Sequence, residues 1–214
     1  MNMRRILLLS LLAFVYSINR AQTIYTYNGK YRIELPDKLE LQDSELNTIR
    51  RLTAQGNKAQ VNVSTSSGHI TFQQKGLNAD VKDAYNKYCR VIVEYFQEDM
   101  NEPTFGRGDQ IVVDKDLLYM VHESVEENCN RSGTPLIKIL SVQPLSISGF
   151  PVLYYSYRRK GWEGKHPPVI VNVFRIFNRY ESVTLTFSYR EAERETWKSI
   201  HDNITKSFRF TKKY

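Results

Sequence analysis

The chain has 214 residues, 41% of them hydrophobic and 25% charged, with 30 Lys and Arg against 23 Asp and Glu for a net charge of +7. That apolar fraction excludes an intrinsically disordered chain, ten Gly and seven Pro exclude a fibrous repeat, and two cysteines exclude a disulfide-dense scaffold. No linker, low-complexity run or internal repeat divides the sequence, so a single domain with a sizeable core is expected.

Residues 1–21 read as a secretory signal. Arg4 and Arg5 precede an apolar run from Ile6 to Tyr16, too short to span a bilayer and of the right length for a leader. Cleavage is expected after Ala21 or Ser17, and no cysteine nearby could accept a lipid. The mature chain, 22–214, is then expected to be exported, periplasmic or secreted, with no transmembrane segment. Without Arg4, Arg5 and Arg20 it holds 27 basic against 23 acidic residues, or +4. Such a mild excess argues against nucleic acid as a partner.

Along the mature chain, Tyr31, Ile33 and Leu35 alternate with Lys30, Arg32 and Glu34, the pattern of a half-buried strand over 29–36. Leu46, Ile49 and Leu52 behind Ser44 suggest a short helix over 44–53. Short strands are expected at 59–64 and 70–74, around a Ser/Gly turn at 65–68. The longest helix is expected over 79–99, entered through Asn78, because Val81, Ala84, Tyr85, Tyr88, Cys89, Ile92, Tyr95 and Phe96 form a continuous stripe. A loop follows at 101–109, and then a helix capped by Asp116 and reaching about 128, with Leu117, Met120, Val121 and Val125 inward.

Strands are expected at 136–142 and at 151–157, where Val152, Leu153, Tyr154, Tyr155 and Tyr157 are bounded by Gly149 and Gly161. Pro167 and Pro168 delay the next strand to 169–177. A tight connection at 178–181 leads into 182–189, where Val183, Leu185 and Phe187 alternate with Thr184, Thr186 and Ser188. From Glu191 the period becomes helical through Ala192, Trp197, Ile200, Ile204 and Phe208, with Trp197 expected inward across the sheet. Four or five helices and about six mostly antiparallel strands make the class α+β.

The opening run Tyr27 to Pro36, the step Ile147-Ser148-Gly149-Phe150-Pro151-Val152, the pair Ala84-Tyr85 and the closing Ile204-Thr205-Lys206-Ser207-Phe208-Arg209-Phe210 together resemble an exported PsbP-like protein. The resemblance covers nearly all of the mature chain in order and pattern. It implies an antiparallel sheet of about six strands between helical layers, an α/β/α sandwich, and an accessory or binding role; it carries over no catalytic residue. The segment 114–132 stands outside the pattern as an extra helix.

Candidate chemistry is sparse. His122-Glu123-Ser124-Val125-Glu126 has the first half of a zinc-protease helix, but Glu126 stands where the second His belongs. Ser199, His201 and Asp202 are too close on one helix to converge as a triad, and His69 and His166 sit in turns. Cys89 and Cys129 form either a structural disulfide between two predicted helices or two separate buried thiols, and no histidine is placed beside either by spacing. Arg107-Gly108-Asp109 lies on a predicted loop, as an adhesive tripeptide would, although a loop apex accounts for the glycine. No cofactor is expected.

Two basic clusters remain: Lys206, Arg209, Lys212 and Lys213 near the end, and the turn 158–168 with Arg158, Arg159, Lys160 and Lys165 around Trp162. A tryptophan among cations, with few apolar neighbours to bury it, suits a contact with another protein or with an anionic glycan of the envelope. The expectation is therefore a non-enzymatic exported binding or accessory protein that uses this turn. The competing expectation is a small secreted hydrolase with a site assembled from distant residues, metal-dependent around His122 and Glu126. A concave pocket with converging titratable groups would favour the second, a flat surface the first.

Overall fold

The computed structural model describes residues 22–27, 29–42, 49–55, 58–63, 69–78, 88–102, 104–164 and 166–211. Expectations for 1–21, 44–48, 65–68 and 79–87, and for Lys165, Lys212 and Lys213, fall outside the described residues. The fold is α+β, and the described residues form a seven-stranded sheet, a five-stranded sheet and two α-helices.

The larger sheet grows from the meander β9 (Phe150–Arg159), β10 (Val169–Phe177) and β11 (Glu181–Arg190). These strands pair antiparallel over nearly their whole length. In β11, Val183, Leu185, Phe187 and Tyr189 are buried on one face, and Thr184, Thr186, Ser188 and Arg190 fall on the other by alternation. The β10–β11 hairpin closes through Arg179 and Tyr180, with Arg179 at φ 58°. β8 (Leu136–Ile147), longer than expected, joins β9 through Ser148 and Gly149, at φ 56° and 83°. Two positive φ values in a two-residue loop follow the twist of the strands, and glycine makes the second of them inexpensive.

On the other flank of β11 lies β7 (Cys89–Gln97), followed by β6 (His69–Gln74) and β3 (Leu39–Leu41). The expected helix over 79–99 is thus corrected to a strand for its second half. Tyr88, Ile92 and Phe96 are four apart, which serves one face of a helix and one face of a strand equally. The β-branched run Val91-Ile92-Val93 and the burial of Cys89, Val91 and Val93 between more exposed neighbours decide for the strand. This sheet alone therefore exceeds the six strands expected for the whole chain.

The five-stranded sheet has the order β12-β2-β1-β5-β4. β1 (Gln22–Tyr27) and β2 (Tyr31–Pro36) form a hairpin, and β1 pairs parallel with β5 (Lys58–Val63). β4 (Ile49–Gln55) pairs with β5, which corrects the helix expected over 44–53: ladder bonds to a neighbouring strand outweigh a weak spacing-three signal. β12 (Arg209–Phe210) adds to β2, so Phe208, expected on the closing helix, instead caps it in extended conformation.

Helix α1 (Lys115–Arg131) and helix α2 (Arg194–Ser207) cover opposite faces of the large sheet. α2 packs with Trp197, Ile200 and Ile204 inward, as expected, into the main core between the two sheets. Tyr31 stacks on Phe208 there, and Phe150 meets Phe210 edge-on. α1 lies over β8 and β9, with Val121, Val125 and Cys129 facing Leu153 and Phe177. Its cap is Asp114, whose carboxylate accepts the Leu117 N–H at 2.9 Å, rather than Asp116 in the first turn. Met120, expected inward, is 57% exposed because the buried stripe runs at spacing four from Val121.

An ionisable pair lies in the core between β7 and α2. His201 on α2 stacks on Phe187 at 4.5 Å, and its Nε2 lies 3.6 Å from the Cys89 Sγ. Burial pushes the imidazole pKa down to about 3, with Asp202 opposing. An unfolded imidazole takes up its proton near pH 6.5, so between about 6.5 and 3 the unfolded state binds more protons. Stability should fall as pH drops through that window, by at most ~1.4 kcal/mol per pH unit from this group. Urea unfolding at pH 7, 5 and 4 should show a shallower loss for His201→Phe than for the wild type; parallel losses would remove His201 as the cause.

Candidate ligand cavity

α1 covers the β8–β9 side of its face and leaves the stretch over β10, β11 and β7 open as a cavity of about 560 Å³. Strand register builds its floor. Arg159, Val169 and Arg190 stand in one row across β9, β10 and β11; the next row is Tyr157, Val171, Ser188 and Arg90; Thr186 and Ile92 follow. Each strand contributes alternate residues, so the outward positions opposite the core collect here. Asn128 and Cys129 of α1, with Ser132 and Thr134 beyond its end, form a wall. Trp162 and His166 also line the cavity, and Trp162 is 53% exposed at its edge.

One end is cationic. The guanidinium carbons of Arg90, Arg159 and Arg190 lie 5.5, 5.9 and 5.2 Å from the centroid of the Tyr88 ring. Arg159 Nη2 and Ser188 Oγ each donate to the Tyr88 hydroxyl at 3.2 Å, and Arg190 Nη1 donates to the Pro167 carbonyl at 2.8 Å. Burial lowers the Arg190 pKa and Arg159 adds to the effect, opposed by Tyr88 and Glu193. Glu193 itself accepts from Trp197 Nε1 at 3.3 Å, on α2's side of the sheet. No carboxylate occurs among the described residues lining the cavity.

Burial raises the pKa of the Cys129 thiol, Arg159 pulling the other way, and burial also raises that of the Tyr157 hydroxyl. The two groups stay protonated at neutral pH. The lining thus holds three cations, several hydroxyls and an apolar floor, a set suited to holding a molecule.

The five residues expected to form one surface are split by strand alternation. Arg159 enters the cavity, whereas Arg158 turns to the opposite face and pairs with Glu191 at 2.6 Å. The Lys160 amide donates to the Pro135 carbonyl at 2.9 Å, and the Glu163 amide to that of Gly133 at 3.1 Å, tying the Trp162–Gly164 turn to the end of α1. Lys165 lies outside the described residues. From sequence, Tyr88 belongs only to the core stripe of the expected helix, where it shares no face with β11, and neither Arg90 nor Arg190 is singled out. Reading 88–97 with period two would have placed Tyr88, Arg90 and Ile92 together.

His122 Nδ1 lies 3.7 Å from Glu126 Oε2 on the exposed side of α1, and among the described residues no group of three metal-ligating side chains occurs. Cys89 and Cys129 are free thiols. Cys89 belongs to the core between the sheets and Cys129 to the α1 layer, so the large sheet separates them and the disulfide alternative is corrected. A histidine does neighbour Cys89, which spacing did not reveal, because β7 and α2 meet only in the folded core. Burial first, and Glu193 second, push the Cys89 thiol pKa well up, opposite to what a nucleophile needs. In the Arg107-Gly108-Asp109 loop the Asp109 carboxylate accepts the Gly106 N–H at 2.7 Å, and Arg107 lies over the Phe150 ring.

No protein-family profile and no curated protein matches the chain. Among solved structures it is similar to cyanobacterial PsbP (CyanoP) from Synechocystis sp. PCC 6803, with 15% identity and a TM-score of 0.49 over 91% of this chain and 95% of that one. It is also similar to LpqN, involved in cell envelope biogenesis of Mycobacterium tuberculosis, with 10% identity and a TM-score of 0.42 over 94% and 96% of the two chains. A Bacteroides thetaiotaomicron protein matches with 9% identity and a TM-score of 0.43 over 87% of this chain, which spans about half (47%) of that one. Each of these likenesses is one of structure alone.

Cys89 and Cys129 are 0% and 2% exposed. Alkylation of the unreduced mature protein in denaturant should add two adducts by mass, and alkylation without denaturant should be slow at both; a mass with no adducts would restore the disulfide.

Proposed function

We propose that the chain is an exported, non-enzymatic binding protein whose site is the cavity between α1 and the seven-stranded sheet. The observation that carries this reading is the cavity itself: at about 560 Å³ it falls in the range of small-molecule sites, with an apolar floor and a few convergent polar groups. A concave form with titratable groups around it is the expectation for the competing hydrolase and not for a flat binding surface, but these groups are suited to hold rather than to react. The cysteine is protonated, the described lining holds no carboxylate to take a proton, and the His122–Glu126 pair lies on the exposed side of α1.

Export rests on the leader pattern at 1–21; among the described residues no helix is long and apolar enough to cross a membrane. Trp162 keeps a place in this reading as a side chain at the cavity's edge, where it would close over a bound molecule, rather than as the centre of a flat docking surface.

Native mass spectrometry of the mature protein, gently purified from its own host's envelope fraction, tests the reading. The expected result is a small molecule bound one to one, lost from Thr186→Trp, which fills the cavity from the middle of β11 while leaving the core face untouched. A protein that carries no small molecule, and whose mass spectrum Thr186→Trp leaves unchanged, would count against it.

A further inference from the structure

We infer that the cavity's ligand is an oxyanion, a carboxylate or phosphate on a small apolar or aromatic body, with its charge at the Arg90–Arg159–Arg190 end and its body over Val169, Val171 and Trp162. The inference rests on the cavity being the binding site and goes further by naming what it selects.

Three guanidinium groups share one neighbour, the Tyr88 ring, so they converge within the span of a single small ligand. Like charges drawn together over a partly buried sheet face repel one another, and a bound anion relieves that repulsion. The described lining offers cations and hydroxyl donors without a carboxylate, so a cationic ligand would be repelled. A neutral ligand would leave the gathered positive charge uncompensated. Guanidinium is the side chain best matched to this task, since its planar fork can donate two parallel hydrogen bonds to a carboxylate or phosphate.

Register makes the arrangement rigid. Arg159 and Arg190 flank Val169 in one row, and Arg90 stands beside Ser188 in the next, all on paired strands. The Tyr88 hydroxyl, held by Arg159 and Ser188, braces the Arg159 fork. Arg190 is committed in part to the Pro167 carbonyl, and Arg159 donates to the Lys160 carbonyl at 3.1 Å as well as to Tyr88, so Arg90 discriminates most and Arg159 adds the charge and the remainder of its fork. The apolar valines on the floor and the indole at the edge give the body of the ligand a surface that a free inorganic ion would not use.

The test uses the mature protein at low ionic strength, isothermal titration calorimetry and thermal shift, and three probes: phenyl phosphate, inorganic phosphate and phenol. Phenyl phosphate should bind one to one, raise Tm and exceed both other probes in affinity. Arg90→Gln and Arg159→Gln should each weaken it by about tenfold or more, the order expected for losing a hydrogen bond to a charged group. Arg159→Lys, which keeps the charge without the fork, should fall in between, and Lys198→Gln, on α2, should change nothing. Tm values of the variants without probe separate lost binding from lost folding. Phenol binding as tightly as phenyl phosphate would leave a ligand cavity and overturn the anion. Absence of phenyl phosphate binding, or affinity unchanged in both arginine variants, would overturn it too, whereas failure of the cavity reading shows instead as a protein that carries no small molecule from its host.

Discussion

The two-sided alternation of β11 is the constraint on which the rest depends. Val183, Leu185, Phe187 and Tyr189 supply the middle of the main core, and Thr184, Thr186, Ser188 and Arg190 are thereby committed to the opposite face. A slip of one residue would exchange the two rows, putting hydroxyls and a guanidinium under α2 and the apolar row Val183, Leu185, Phe187 and Tyr189 on the cavity face. β7 and β10 read their registers from β11, so their own outward residues, Arg90 and Ile92 on one side and Val169 and Val171 on the other, are aligned by the same pairing.

The faces of this sheet carry different burdens. The inner face is sealed by the five-stranded sheet and α2, with aromatic stacking around Phe187, His201 and Trp197. The two sheets are also joined by polar contacts. Glu181, buried at the start of β11, accepts from the Tyr95 hydroxyl at 2.9 Å and from Asn178 Nδ2 at 3.0 Å, while Lys30 from the β1–β2 turn approaches to 4.0 Å. A carboxylate so placed is tolerated because its oxygens have donors, and the contact orients one sheet on the other.

The outer face is covered only in part. α1 reaches across β8 and β9 through Val121, Val125 and Cys129, and its end is held by the hydrogen bonds of 132–134 and of the Trp162 turn. What lies beyond that end is sheet surface of mixed character, an apolar floor with cations at one side. A site made of strand residues is held by the ladder itself, so its side chains keep their spacing without help from loops. This separates the stabilising face from the binding face of the same strands.

Much of the fold was legible in the residues themselves. The period-two runs of β2 and β11, the aromatic and β-branched run of β9, the apolar run of β10 behind its two prolines and the helical stripe of α2 declared their elements, because burial of a strand or helix face selects residue type and spacing locally. The helix at 115–131 was legible too, and its cap only two positions off, because Asp114 and Asp116 are both good capping residues. The strand β7 was not, since Tyr88, Ile92 and Phe96 satisfy both periods, and only the vacant edge of β11 selects between them. Nor was β4, where Leu46, Ile49 and Leu52 at spacing three pointed to a helix. The site was legible in one corner: Arg159 and Trp162 stood out as a cation and an aromatic in a polar turn. Arg90, Arg190 and Tyr88 join them only through register, and Arg158 leaves them by the same rule. The sequence by itself determined which residues alternate and which face of each element is apolar, since those follow from local spacing. Only the tertiary structure decided which strands lie side by side, and with that the meeting of three arginines over one tyrosine and the separation of the two cysteines, because pairing between segments distant in sequence is settled by the packing of the whole chain.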